Sequence, residues 1–462
     1  MAKPFGSTCN LDCAYCYYLE KRELYPETRD FRMSEETLEA FVRQYIAAHP
    51  GPVVQFAWQG GEPTLLGLDF FRRVVQLQRR YAPPEKTVTN ALQTNGTMLD
   101  DVWCTFLREH GFLVGISIDG PAFLHDRYRV TTDDSGTLER VLAGHDLLRE
   151  HDVQHNVLCV VNRLNSQYPL EVYQFLRDRG VEWLQFIPLV EPIESQPQTD
   201  QPADSVPCQP GDPPGGPAVD GPGTDDHGTD DPAIDDPAGD PELPAPVEPP
   251  AYSWPSRTGK QESDHSAKRH SLGDAVTARS VEPEAYGRFL CAIFDEWVRN
   301  DIGSMSVQLF DQCIPAWFGG NAGLCVFTET CGRQVAIEHN GDLYACDHYV
   351  EPGYLLGNIH DTPIGELIES RQQRAFGRFK VEGLPSTCHS CDVRFVCHGG
   401  CPKNRIVETQ SGEFGLNYLC DGYRRFFSHV DGYMPILARA SRAGDSPRTV
   451  MRRIAARDRL AT

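Results

Sequence analysis

Cys9, Cys13 and Cys16 form a CxxxCxxC array. Three thiolates can hold three corners of a [4Fe–4S] cube and leave the fourth iron without a protein ligand, free to bind and activate a small molecule. The same thiols suit a zinc knuckle completed by a ligand from elsewhere. The spacing alone leaves both readings open. A second array lies far along the chain: Cys325, Cys331, Cys346, Cys388, Cys391, Cys397, Cys401 and Cys420. Eight thiols give four ligands to each of two metal centres, and their spacing suits two zinc sites as well as two iron–sulfur clusters. Asp347 directly follows Cys346. A carboxylate there can accept a proton from a thiol or hydroxyl, or it is an exposed acid at the end of a hairpin.

Composition narrows the classes. The chain has 462 residues, room for two or three domains with sizeable cores. A formal net charge of -22 argues against nucleic acid or an anionic membrane as the main partner. No apolar run is long enough to span a bilayer. Met1-Ala2-Lys3-Pro4-Phe5-Gly6 lacks the apolar core of a signal peptide. Sixteen cysteines in that setting point to metal ligation in a reducing compartment, which places the protein in the cytoplasm. Cys104, Cys159, Cys208, Cys291 and Cys313 are scattered and read as small apolar residues.

The elements that position these residues alternate. Ser34 reads as an N-cap, with Leu38, Phe41, Val42, Tyr45 and Ile46 on one helical face. Strands are expected at 53–58, 87–92, 112–118, 155–161 and 182–187, each followed by a polar or Gly-rich end, with helices between them. This predicts an α/β fold with a parallel sheet and a site at the C-terminal strand ends, a partial barrel of six units whose first strand lies just before Cys9. Residues 191–250 hold sixteen prolines, and residues 191–281 carry eighteen acidic and five basic residues, 13 of the 22 net negative charges. Such a stretch cannot bury a core and is expected to be a disordered, solvated spacer. Helical order resumes at Tyr286, Phe289, Ile293 and Trp297 and again around Val307–Phe318, and His339-Asn340-Gly341 between strand-like runs predicts a β-hairpin. The expected boundaries are a barrel at 1–190, the insertion at 191–281, a helical region at 282–324, the second cysteine domain at 325–430 and a tail or helix at 431–462.

The first loop resembles the signature of the radical S-adenosylmethionine (SAM) superfamily, and the second array resembles its SPASM extension. The likeness extends to the anaerobic sulfatase-maturating enzyme family through Cys9–Tyr18, Trp58-Gln59-Gly60-Gly61-Glu62-Pro63-Thr64-Leu65, Leu92–Thr97, Val114–Pro121, Asn156–Val161, Leu184–Ile187 and Cys325–Cys420. The resemblance implies a partial (β/α)6 TIM-type barrel followed by a SPASM domain, with three [4Fe–4S] clusters. Cys9, Cys13 and Cys16 would hold the cluster that chelates SAM, and Tyr15, Gly61, Ser117, Arg129 and Val190 would contact SAM. Cys325, Cys331, Cys346 and Cys401 would ligate auxiliary cluster I, and Cys388, Cys391, Cys397 and Cys420 auxiliary cluster II. Asp347 would be the general base. The implied reaction cleaves SAM to a 5′-deoxyadenosyl radical, takes a hydrogen from Cβ of a Cys or Ser in a sulfatase Cys/Ser-x-Pro-x-Arg motif, and yields Cα-formylglycine. A low-potential donor such as flavodoxin or ferredoxin would supply the electron, and the second electron would leave through auxiliary cluster I.

Two features depart from that pattern. Only eight residues precede Cys9, and Met1–Ser7 holds little that is strand-like, so a truncated or misassigned start is expected, with poor folding unless upstream residues are restored. Within the insertion, Ser253-Trp254-Pro255-Ser256-Arg257 fits the substrate pattern, by chance or as a pseudo-substrate. Two other readings stand beside the sulfatase maturase. One is a SPASM-type peptide maturase acting on another polypeptide; the other is a non-catalytic electron-transfer or zinc-binding protein.

Overall fold

The computed structural model describes residues 1–193 and 275–461. Its frame is set by strands whose alternate side chains are buried under helices. The strands of the barrel are β1 (Ala2–Lys3), β2 (Val53–Trp58), β3 (Thr87–Thr94), β4 (Phe112–Ser117), β5 (His155–Val161) and β6 (Trp183–Pro188). In β2, Val54, Phe56 and Trp58 are buried, and their neighbours turn to the opposite face. The helix Glu35–Ala48 covers them with Leu38, Phe41, Val42 and Ile46, and Phe41 meets Phe56 and Trp58 edge-on at 5.5 and 6.0 Å between ring centroids. Ser34 caps that helix by accepting from the Thr37 N–H at 3.1 Å.

The six strands are parallel neighbours in chain order, and β7 (Ser306–Val307) adds a seventh beside β6. The result is an α/β partial barrel of the (β/α)6 TIM type. β7 opens a stretch that the sequence reads as helical; the helix Gln308–Cys313 follows it. On the other edge, β9 (Asp342–Tyr344) pairs antiparallel with both β8 (Ala336–Glu338) and β10 (Leu355–Asn358). The Asn-Gly turn joins β8 to β9, with Gly341 at φ +92°. β8 pairs parallel with β1 through Ala2 with Ile337 and Lys3 with Glu338. These ten strands therefore form one sheet, β10-β9-β8-β1-β2-β3-β4-β5-β6-β7, and the two further strands among the described residues, Val407–Glu408 and Phe414–Leu416, pair with each other. The first strand has two residues, where the sequence reading asked for about five. Both are buried, and Ala2 O accepts from the Gln59 N–H at 3.0 Å.

The helix Pro283–Asn300 ties the two halves together. Phe289 packs on Phe186 of β6 at 5.1 Å, and the Tyr173 hydroxyl donates to Asp301 at 2.8 Å. Its other side crosses the helix Cys420–Val430 at close range; a Cβ on Gly422 would lie 2.2 Å from Pro283 O. Residues at the two ends of the expected 191–281 insertion pair with each other. Ile193 N–H donates to Ala275 O at 3.0 Å, Thr277 N–H to Glu191 O at 2.8 Å, and Arg279 pairs with Glu191 at 3.1 Å. Ser253–Arg257 and the rest of 194–274 lie outside the described residues. Among the described residues no helix is long and apolar enough to cross a membrane.

Candidate active site

The Cys9–Cys16 loop is held from two sides. Asp12 and Ala14 N–H donate to Val130 O at 2.9 Å and Tyr128 O at 2.8 Å. Behind the loop, Gly61 N–H donates to Gly6 O and Glu62 N–H to Thr8 O, each at 2.8 Å. A Cβ on Gly61 would lie 1.9 Å from Thr8 O, so the strand-end glycine is required by the cysteine loop itself. Gly61→Ala is expected to destabilise the fold by about 1–3 kcal/mol through overpacking. A denaturation midpoint equal to wild type would show that the loop is not seated this way.

Burial pushes the thiols of Cys9 to about 12 and Cys13 to about 11, and raises Cys16. Each is free of disulfide. Three half-buried thiols that resist ionisation alone fit a centre that brings positive charge with it. Leu11 N–H lies 3.4 Å from the Cys9 sulfur and Asn95 Nδ2 3.8 Å from it, donors suited to a thiolate.

The strand ends around the loop are polar and closely coupled. Glu62 is fully buried and accepts from Thr64 N–H at 3.0 Å, Thr94 Oγ1 at 2.8 Å and Asn95 N–H at 2.7 Å, clamping the end of β2 to that of β3. Gln93 Nε2 donates to Ser117 Oγ at 3.2 Å. A Cβ on Gly115 would meet Gln93 Oε1 at 2.1 Å and Asn156 Oδ1 at 3.1 Å, so Gln93, Ser117 and Asn156 share the inner face of the barrel. Asn156 Oδ1 is buried there without a partner, an open acceptor for a polar ligand. Arg129 turns Nε and Nη2 to Asp119 at 3.0 and 3.3 Å, and Tyr15 donates its hydroxyl to the same carboxylate. An Arg129 contact to a bound carboxylate is therefore left to Nη1 and the second Nη2 hydrogen. Val190 is buried just past β6.

Asp347 meets the first loop directly. Its Oδ2 accepts from the Tyr17 hydroxyl at 3.0 Å, and Tyr17 is the residue after Cys16. Its Oδ1 pairs with the Lys3 ammonium at 2.5 Å, and both side chains are buried. Burial opposes the charge, but Lys3, His348 and Tyr17 outweigh it and bring Asp347 down to about 2. Lys3 also lies 4.3 Å from the centroid of Tyr18, whose hydroxyl donates to Glu338.

The eight later thiols fall into two sets in space. Cys325, Cys331 and Cys346 each feel the charge of Cys401, whereas Cys388, Cys391, Cys397 and Cys420 act on one another. The buried Lys380 ammonium faces the first set and donates to Cys325 O at 2.6 Å. Cys401 differs from its neighbours. Burial opposes its ionisation, but His348, with Nδ1 3.7 Å from the sulfur, outweighs it and brings the thiol down to about 7.

Residues 4–176 match the radical SAM superfamily, and residues 325–392 match SPASM, described as an iron-sulfur cluster-binding domain. Over 453 residues the chain is 37% identical to the serine-type anaerobic sulfatase-maturating enzyme of Bacteroides thetaiotaomicron, covering 98% of this chain and 94% of that one. The chain belongs to the anaerobic sulfatase-maturating enzyme family. It is 28% identical over 434 residues to the cysteine-type enzyme of Clostridium perfringens, across 93% of this chain and 95% of the relative. The solved structure of native anSMEcpe with bound AdoMet and Cp18Cys peptide superposes with a TM-score of 0.71 at 27% identity, covering 95% of this chain and 98% of that one. As a radical SAM enzyme of the sulfatase-maturating type, the protein carries supporting residues that its motifs did not announce. Lys3, Tyr17, Asp119 and His348 each touch a candidate site residue. Tyr17, Glu62, Asp119 and His348 lie inside the family-like segments, but their contacts have no local signal.

Proposed function

We propose that this protein oxidises a Cys or Ser side chain of a sulfatase to Cα-formylglycine. The observation that carries the reading is the Tyr17–Asp347 hydrogen bond, which sets a buried carboxylate beside the first cysteine loop. Cys9, Cys13 and Cys16 would hold one [4Fe–4S] cluster, with Tyr15, Gly61, Ser117, Arg129 and Val190 at the SAM site. Cys325, Cys331, Cys346 and Cys401 would hold a second cluster, and Cys388, Cys391, Cys397 and Cys420 a third. When bound, these groups supply the hydrogen-abstracting radical and an acceptor for the second electron.

Asp347 takes the proton. A carboxylate held down to about 2 is a weak base towards an ordinary alcohol or thiol. Once a hydrogen atom has left the substrate Cβ, its hydroxyl or thiol becomes far more acidic, and a weak, permanently ionised base suffices. Lys3 and Tyr17 hold that carboxylate in one orientation. The substrate is a sulfatase segment with a Cys-x-Pro-x-Arg or Ser-x-Pro-x-Arg motif, and a low-potential flavodoxin or ferredoxin in the cytoplasm supplies the electron. Identity is higher to the serine-type relative than to the cysteine-type one, so the Ser peptide is the first to test.

The test is anaerobic reconstitution with iron and sulfide, then reduction and addition of SAM with each peptide. About twelve irons per chain, 5′-deoxyadenosine and a formylglycine mass are expected, three cubes of four irons each. Deoxyadenosine without peptide oxidation would point to a different polypeptide substrate, and zinc in place of iron with no deoxyadenosine would refute the reading.

A further inference from the structure

We propose that Arg405 is a shared cationic neighbour of both auxiliary clusters and raises the reduction potential of each. The inference rests on the assignment of the eight later thiols to two clusters. Cys397 and Cys401 belong to different sets, yet only three residues separate them. All three of these residues are left-handed, with His398 at φ +46°, Gly399 at +73° and Gly400 at +64°. The turn is therefore a tight loop joining one set to the other.

Arg405 fills the inside of that loop. Its Nε donates to Gly399 O at 3.2 Å and its Nη2 to His398 O at 3.1 Å. A Cβ on Gly399 would lie 2.3 Å from Leu384 Cδ2 and 2.8 Å from Arg405 Nη2, so a side chain there would crowd both. Asn417 braces the same turn, donating to Gly399 O and Cys401 O at 3.2 Å each. Arg405 is 6% exposed, and its Nη1 is buried without a hydrogen-bond partner. A buried charged donor left open is costly unless negative charge answers it. The Arg405 charge interacts with Cys388 from one set and with Cys401 and Cys331 from the other, and also with Tyr349. A cube bound by four thiolates is negative and gains one more negative charge when it takes up an electron. A fixed cation stabilises that reduced form most, and hydrogen bonds to the sulfurs act in the same direction.

A merely structural role would be met by any side chain that braces the turn. Arg405→Gln keeps amide donors for the carbonyls and removes the charge. The reconstituted holoprotein and the variant are compared by iron content and by an EPR-monitored redox titration with dithionite as the electron source. Both auxiliary potentials are expected to fall, each by at least tenfold in the reduction equilibrium constant, about 59 mV for a one-electron couple. The Cys9–Cys16 cluster is expected to be unmoved. Full iron with both auxiliary potentials within tenfold of wild type, or a shift in only one, overturns the proposal. If Arg405→Gln does not load iron, Arg405→Lys decides: it keeps the charge and loses the fork, so both potentials within tenfold of wild type support the proposal and a fall of tenfold or more in either overturns it. Wild type without cubic clusters would instead refute the cluster assignment, and the proposal with it.

Discussion

Asp347→Asn is expected to lower formylglycine formation by about 10²–10⁴-fold, the usual contribution of a positioned general base. Formation of 5′-deoxyadenosine should stay within a few-fold of wild type. The reason is geometric. The Asn carbonyl can still accept from the Tyr17 hydroxyl, so the first loop keeps its neighbour. The substituted amide cannot take a proton. The measurement is the ratio of deoxyadenosine released to peptide oxidised, with iron content checked in parallel. A ratio equal to wild type at reduced total turnover would place Asp347 in the support of the first loop and remove it from proton transfer.

Lys3→Met is expected to be the most destabilising single change in the site. The Lys3 ammonium and the Asp347 carboxylate form a buried ion pair at 2.5 Å, and the methionine would leave the carboxylate buried without its counter-charge. Breaking one partner of such a pair costs about 3–5 kcal/mol. Lys3 also stacks its charge on Tyr18, which hydrogen-bonds Glu338 of β8, so the loss reaches the junction of barrel and hairpin. Thermal or denaturant unfolding of the loaded protein should show a large fall in midpoint, with Lys3→Arg recovering most of it. The uncoupling ratio should rise as well, because the base loses its orientation. A Lys3→Met protein that unfolds with wild type would mean that the pair contributes nothing to the fold.

Local pattern carried much of the architecture. The five strand units after the first loop, the Ser34 cap and the Asn-Gly hairpin are short-range signals, and each appears where the sequence places it. The pairing of β1 with β8 was not legible, because two buried residues have no periodicity to read. The partners of the site residues were hidden for the same reason. Lys3 carries no local signal of its role, and only the fold sets it beside Asp347, just past the end of β9. Gly61 reads as a turn residue or a ligand contact, and only the position of Thr8 shows which backbone crowds it. Arg129 reads as a carboxylate clamp, and the carboxylate it grips in the fold is the chain's own Asp119. Spacing could not sort the eight thiols, since the turn at 397–401 changes sets within a few residues.

The union of β1 with β8 sets an order of assembly. Ala2 pairs with Ile337, so the site cannot close until residues far along the chain have been made and folded. Contacts of such sequence separation form late, because the intervening chain must first give up its freedom. The Cys9 loop therefore waits, without its Asp347 neighbour, while the rest of the barrel consolidates. Delivery of iron and sulfide during that wait would find the loop open from the side that Tyr17 and Asp347 later close. The same logic explains why residues 194–274 can be inserted between the two partners. Loop-closure entropy grows only with the logarithm of length, so this stretch adds about 0.2 kcal/mol to bringing the two strands together.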